Sequence, residues 1–321
     1  MLALIWVLIG IVLAESANVV VRHVEPDPRG NGIAVLVSVE DSAGNPISNL
    51  CQGDKCRDTF KARVSSSTRP TTDIYEAVQF KDYETGFDTL FLIDGSGSMS
   101  PHWEGVKEAV KNYLENKTDK DRVALYTFTD NVVGGNGQML LPAGQPARSI
   151  QWKTDVATLI RDVESLPQPS GSTKIFTSLR DTFRSLRQEK GEPTFRTIIL
   201  LTDGEQEDYP PEYNTVVRWA KEAKIPINVV QFVKSDGELE RKDMEAIYRY
   251  GRPLADLSQD TMGRAKAVND VSEISREFQT IQTRVHETWM IKTLVCNLNA
   301  GLHDVSVRTF NSGEEVGFDS G

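Results

Sequence analysis

From about residue 88 to residue 286 the chain alternates short apolar runs with stretches of helical apolar spacing, and this alternation restricts the fold more than any other feature. The first run, Leu90-Phe91-Leu92-Ile93, is apolar throughout, as expected of a strand buried on both faces. Trp103, Val106, Val110, Tyr113 and Leu114 then recur at helical spacing, before a second strand, Val123-Ala124-Leu125-Tyr126-Thr127-Phe128. Helical stretches over Val156 to Leu166 and Ile175 to Leu186 precede the strand Thr197-Ile198-Ile199-Leu200-Leu201. A helix near Val216 to Ala223, a strand from Ile227 to Val233 and a helix near Leu239 to Tyr250 follow. A last helix carries the stripe Val271, Ile274, Phe278, Ile281 and Val285. Short connections and repeated strand–helix alternation predict an α/β unit: a doubly wound, mostly parallel sheet covered by helices on both faces.

The flanks differ. Val19-Val20-Val21, Ile33 to Val39 and the turn-rich Asp41-Ser42-Ala43-Gly44-Asn45-Pro46 form a hairpin signal, and no helical period precedes residue 88. After residue 286 strand character returns in Trp289 to Cys296 and Val305 to Phe310, around a turn at Asn297 to Gly301. The expected organisation is a signal segment over 1–14, a β-rich segment over 15–85, the α/β unit over 86–286 and a second β-rich segment over 287–321. The two β-rich segments are expected to build one β-sandwich into which the α/β unit is inserted.

The apolar run Leu2 to Leu13 is too short to span a bilayer, which takes about 20 apolar residues. Val12 and Ala14 put small residues where a signal peptidase cuts, so cleavage after Ala14 and export to a periplasm, a cell surface or the medium are expected. No Lys or Arg precedes the run, which leaves an uncleaved anchor as the alternative. Export permits a disulfide, and Cys51, Cys56 and Cys296 allow one with a thiol left over; the spacing does not choose the pair. With 46 acidic against 36 basic side chains the net charge is −10, which disfavours nucleic acid or anionic lipid as a partner. Membrane insertion of the mature chain is not expected.

The chemistry-bearing segment is Ile93-Asp94-Gly95-Ser96-Gly97-Ser98-Met99-Ser100, at the end of the first buried strand. Ligands in such folds sit outside the carboxyl ends of the strands. Asp94, Ser96 and Ser98 alternate and can turn their oxygens toward one point, while Gly95 and Gly97 let the backbone bend. Two further loops fall at the same edge: Ser170-Gly171-Ser172-Thr173 before a helix, and Thr202-Asp203-Gly204-Glu205 after the most apolar strand. Oxygen-only donors suit a hard cation such as Mg2+, Mn2+ or Ca2+.

These segments resemble the von Willebrand factor type A family, whose metal-ion-dependent adhesion site reads D-x-S-x-S, then a Thr, then an Asp, and all five positions match. The resemblance covers about residues 86 to 286. It implies hydroxyl ligands from Ser96, Ser98 and Thr173, and carboxylates of Asp94 and Asp203 acting directly or through water. It further implies a protein partner whose Asp or Glu carboxylate fills the open position, and a helix from about Asp270 to Val285 that shifts on occupancy. The flanks resemble more loosely the β-rich flanks of bacterial secreted members.

Each motif also has a plainer reading: a flexible polar loop for Asp94 to Ser98, a helix-capping neighbour for Thr173, a turn residue for Asp203. Agreement of three loops in order and strand context favours a shared site. Glu205, Glu207 and Asp208 crowd its rim, as a solvated acidic face or, alternatively, as groups that tune cation affinity or partner choice. Catalysis is not expected, because Gly95 to Met99 is not a G-x-S-x-G elbow and His286 belongs to no triad motif. Neither a phosphate loop nor a zinc signature occurs, and His23, His102, His286 and His303 are scattered. A scaffolding protein whose cation only stabilises the fold is the competing expectation. Asn116-Lys117-Thr118 is a glycosylation triplet of a kind that often arises by chance.

Overall fold

A computed structural model describes residues 18–26, 32–42, 45–47, 50–51, 56–64, 71–72, 74–140, 146–189, 195–204, 211–233, 252–294, 305–311 and 314–320. The expected signal segment, Cys296, the rim acids Glu205, Glu207 and Asp208, and the helix expected near Leu239 to Tyr250 lie outside these residues. Contacts divide the chain into two units, Met1–Phe80 with Glu287–Gly321, and Lys81–His286.

The first unit is a sandwich with strands from both flanks. It contains β1 (Asn18–Pro26), β2 (Gly32–Glu40), the one-turn helix α1 (Cys56–Thr59), β3 (Phe60–Val64), β4 (Thr71–Thr72) and β5 (Ile74–Gln79). After the inserted unit come β13 (Trp289–Leu294), β14 (Val305–Asn311) and β15 (Glu314–Ser320). Among the described residues they form two sheets, ordered β1-β2-β13-β5 and β15-β14-β3-β4. Alternate residues Val19, Val21, Val35, Val37, Trp289 and Ile291 of the first sheet meet Phe60, Ala62 and Val307 of the second in one core. The rings of Phe60 and Trp289 lie 5.3 Å apart across it. Cys51 and Cys56 form a disulfide, which settles the pairing that their spacing left open.

The second unit contains β6 (Asp88–Asp94), α2 (Trp103–Glu115), β7 (Arg122–Phe128), β8 (Val132–Gly134), β9 (Met139–Leu140), α3 (Val156–Glu164) and α4 (Ile175–Leu186). It continues with β10 (Arg196–Thr202), α5 (Pro211–Ala223), β11 (Ile227–Phe232), α6 (Arg252–Asp260), β12 (Ala265–Val268) and α7 (Val271–His286). Its sheet runs β12-β11-β10-β6-β7-β8-β9. All pairs from β12 to β7 are parallel, and the β8 and β9 pairs are antiparallel. This is the expected doubly wound α/β fold. Strand residues alternate between two cores: Leu90, Leu92, Tyr126, Ile198 and Leu200 pack with α4, α5 and α6, whereas Phe91, Ile93, Leu125, Ile199 and Leu201 pack with α2, α3 and α7.

Four elements were not legible as periods. β9 has two residues, β8 has three, β12 exposes Ala265, Lys266 and Ala267, and α6 is polar with Pro253 in its first turn. The helical turn Cys56–Thr59 also departs from the expectation of no helix before residue 88; one turn is too short to show a period.

Chain direction sorts the polar residues. At the amino ends of the strands Asp88, almost fully buried, accepts two 2.7 Å hydrogen bonds from Arg122 and one of 3.2 Å from Arg196. Arg196 also pairs with Glu189 at 2.6 Å, and Trp152 Nε1 donates to Glu189 at 2.8 Å. Nearby, Asp121 joins His286 at 2.8 Å and accepts the amides of Phe87 and Thr118. Burial would raise the Asp121 carboxyl, but these hydrogen bonds outweigh it and hold the group below the usual carboxylate range. His286 thus has a structural partner at the edge opposite the loops of interest.

Removing the Asp88 carboxylate takes two hydrogen bonds from Arg122 and one from Arg196, which keeps Glu189. Asp88→Ala is expected to lose about 2–4 kcal/mol of stability, below the upper limit for a buried pair because Arg122 remains partly open to water. Urea denaturation checks this.

Candidate metal centre

β6 is flanked by β10 on one side and β7 on the other, so the strand order reverses beside it, the point at whose carboxyl ends ligands bind in sheets of this kind. Asp94, the last residue of β6, lies at this edge with no exposed surface. Gly95 N donates to Phe128 O at 2.9 Å, carrying the β7 contact one residue further. The chain then turns back: Ser96 N donates to Asp94 Oδ1 at 2.9 Å, and the hydroxyls of Ser96 and Ser98 lie 3.0 Å apart. Met99, fully buried, anchors the turn in the core before α2 begins.

The neighbouring strand supplies the second carboxylate. Register pairs Leu201 of β10 with Ile93 of β6, so the chains leave the sheet side by side. Thr202 links the two turns, donating its hydroxyl to Asp94 Oδ2 at 2.6 Å and accepting Gly204 N at 3.0 Å. Gly204 has φ +85, and a Cβ there would lie 2.2 Å from Gln231 Nε2, so this position needs glycine. Both carboxylate oxygens of Asp203 are buried without a hydrogen-bond partner among the described residues.

The third loop is tied to the first. Ser170 N donates to Gly95 O at 2.6 Å, and Ser100 Oγ to Pro169 O at 3.4 Å. Thr173, 3% exposed, stands two residues before α4. Of the five expected ligands, Asp94, Ser96 and Ser98 share one turn. Asp203 acts electrostatically on Asp94, and Thr173 lies on a loop bonded to that turn.

Burial raises the Asp94 carboxyl to about 6, and the nearby charge of Asp203 adds to this, against hydrogen bonds from Thr202 and Ser96. Two buried carboxylates beside hydroxyl oxygens, with no base among the groups acting on Asp94, are the donor set a hard divalent cation takes. Among the described residues no three Asp, Glu, His or Cys side chains converge, so a set drawn from these residues alone needs oxygens of another kind, such as hydroxyls. Thr202 was read from sequence only as the first residue of the loop Thr202-Asp203-Gly204-Glu205, with no role of its own. Asp130 escaped notice too, although it follows a parallel strand at the same edge.

The von Willebrand factor type A domain pattern matches residues 88–280. The chain belongs to this family. No curated protein sequence matches it. Among solved structures, a von Willebrand factor type A protein from Catenulispora acidiphila is similar at 11% identity and TM-score 0.50, over 95% of this chain and 72% of that one. BatB from Bacteroides thetaiotaomicron is 20% identical at TM-score 0.43, over 62% of this chain and 98% of that one. A D319A mutant of the PilB minor pilin from Streptococcus sanguinis is 12% identical at TM-score 0.46, over 85% and 78%. At these identities the likeness concerns the von Willebrand fold, and the ligand set of this member stands on its own residues.

The raised Asp94 carboxyl has a consequence for stability. Its folded value of about 6 exceeds the ordinary 3.8, so the stability it contributes is present at acid pH and lost as pH rises through 6. In chelator the wild type should weaken by roughly 2 kcal/mol between pH 4.5 and 6, at about 1.4 kcal/mol per pH unit, and stay level above that. Asp94→Asn should flatten the slope and exceed wild type at pH 7.5. Thermal unfolding in EDTA from pH 4.5 to 8 measures both; a wild-type midpoint that stays level contradicts the buried, uncompensated carboxylate.

Proposed function

We propose that this chain is an exported protein-binding module that captures an Asp or Glu carboxylate of a partner through a divalent cation held by Asp94, Ser96, Ser98, Thr173 and Asp203. The observation that carries the reading is Asp203, whose two buried oxygens lack a partner among the described residues while its charge bears on Asp94. Burying such a pair without a counter-ion is costly, and ordinary folding gives no return for it. A bound Mg2+, Mn2+ or Ca2+ supplies an electropositive centre with a coordination position for an incoming carboxylate.

The chain's own residues divide the work. Asp94 and Asp203 bring the negative charge that a divalent ion balances, and Thr202 fixes the Asp94 carboxylate in one orientation. Ser96 and Ser98 offer neutral oxygens from a single tight turn. Because hydroxyls complete the set in place of further carboxylates, the centre keeps affinity for an anionic ligand. A chain of net charge −10 repels an acidic partner elsewhere on its surface, so capture depends on this spot.

Export is supported by the Cys51–Cys56 bridge, of a kind that persists in oxidising compartments. No helix among the described residues is long and apolar enough to cross a membrane. The family domain is a common interaction module, and binding without turnover is the activity proposed. The scaffolding alternative is separable: it predicts that Asp203→Ala lowers stability and leaves partner capture unchanged.

Calorimetry with Mg2+ and Mn2+ should find one cation per chain, and at a hundredfold excess over Kd the cation should raise stability by about 2.7 kcal/mol. Asp203→Ala should fold, bind cation at least about tenfold more weakly, and lose the partner that wild type pulls from native extract or host surface without chelator. Wild type that takes up no cation ends the proposal.

A further inference from the structure

Asp130 lies just beyond β7, in a turn closed by a 3.0 Å hydrogen bond from Thr129 N to Asn131 O. One of its carboxylate oxygens, Oδ1, receives both the Ser172 hydroxyl at 2.8 Å and the Lys174 ammonium at 2.7 Å. These two residues bracket Thr173. Gripping 172 and 174 restrains the backbone on both sides of 173, and with it the direction in which the Thr173 side chain leaves the chain. Lys174 has φ −111 and ψ 73, short of helical, and regular helix begins only at Ile175. Gly171, at φ +90, brings the loop close to Thr129; a Cβ there would sit 3.5 Å from the Thr129 Cβ. Upstream, the Ser170 amide is fastened to Gly95 O.

We infer that Asp130 is a positioning residue for the cation site: through Ser172 and Lys174 it holds the Thr173 hydroxyl toward Asp94 and Ser96. The inference rests on the metal-centre reading of Thr173. Asp130 and Lys174 are both substantially exposed, so their ion pair contributes little to global stability. Its effect appears in the geometry of the donor set, where outer partners of metal ligands typically matter about 10- to 100-fold in affinity.

The test is Mn2+ titration calorimetry on wild type, Asp130→Ala, Asp130→Asn, the Ser172→Ala/Lys174→Ala double variant and the triple variant Asp130→Ala/Ser172→Ala/Lys174→Ala, with thermal midpoints taken in EDTA. Expected are affinities about tenfold or more below wild type for Asp130→Ala and for the double variant, no further loss in the triple variant, and nearly unchanged midpoints. Asp130→Asn, which keeps an acceptor for Ser172 but not the charge for Lys174, should fall between. Unchanged Mn2+ affinity in Asp130→Ala overturns the inference. So does weakening by Asp130→Ala that the double variant lacks, since Asp130 would then act on the ion by its own charge. Wild type that binds no Mn2+ overturns the centre itself, a result distinct from both.

Discussion

The buried side-by-side carboxylates of Asp94 and Asp203 are the constraint around which the α/β unit is arranged. Their positions follow from strand register: β6 and β10 are parallel and in step, so the residues after Ile93 and Leu201 leave the sheet together. Packing against two apolar cores fixes that register, because a slip of one residue would exchange the faces of Leu90 and Phe91 and of Ile198 and Ile199. Hydrophobic burial therefore supplies the free energy that holds two carboxyl groups together at the ends of these strands. Thr202 is the small part that makes the arrangement specific, since its single hydroxyl joins Asp94 to the backbone of the opposite turn.

Polar groups at the other edge of the same sheet are treated differently. Asp88 is as deeply buried as Asp94, yet two guanidinium groups answer it, and Asp121 is answered by His286 and two amides. The contrast marks the amino edge as a fastening and sets the carboxyl edge apart from it, in keeping with the proposed metal centre. Burial of a carboxylate is uninformative alone; burial with no cationic partner among the described residues is what distinguishes Asp94 and Asp203. It also places His286 among the fastenings.

Much of this was legible before any coordinates. The runs Leu90 to Ile93 and Thr197 to Leu201 are apolar because both faces are covered, and their helices carry clear stripes, so the layered α/β form and the carboxyl-edge position of Asp94, Thr173 and Asp203 followed. What escaped was short or depended on the third dimension. Residues Met139 and Leu140 make a strand only because β8 lies beside them, and Ala265 to Val268 pair along β11 while three of their side chains face solvent. Asp130 is 42 residues from Ser172 in sequence, and no local pattern announces that one carboxylate oxygen will take up both neighbours of Thr173. The Cys51–Cys56 pairing was likewise undetermined, since loop length alone permitted a longer bridge.

The manner of insertion has its own consequence. The chain leaves the sandwich after β5 and re-enters at β13, and these two strands are antiparallel neighbours with Gln79 opposite Trp289 and Phe80 N bonded to Thr288 O at 2.7 Å. Seen from the sandwich, roughly 200 residues occupy the place of a hairpin turn. Closing so long a flexible loop would carry an entropic penalty that grows with its logarithm, but a folded insert that presents its ends together behaves as a short connection. The sandwich's own strand pairing thus closes across the point of insertion. Changes in length within the inserted unit that leave its two ends adjoining therefore leave the pairing of Gln79 with Trp289 in place.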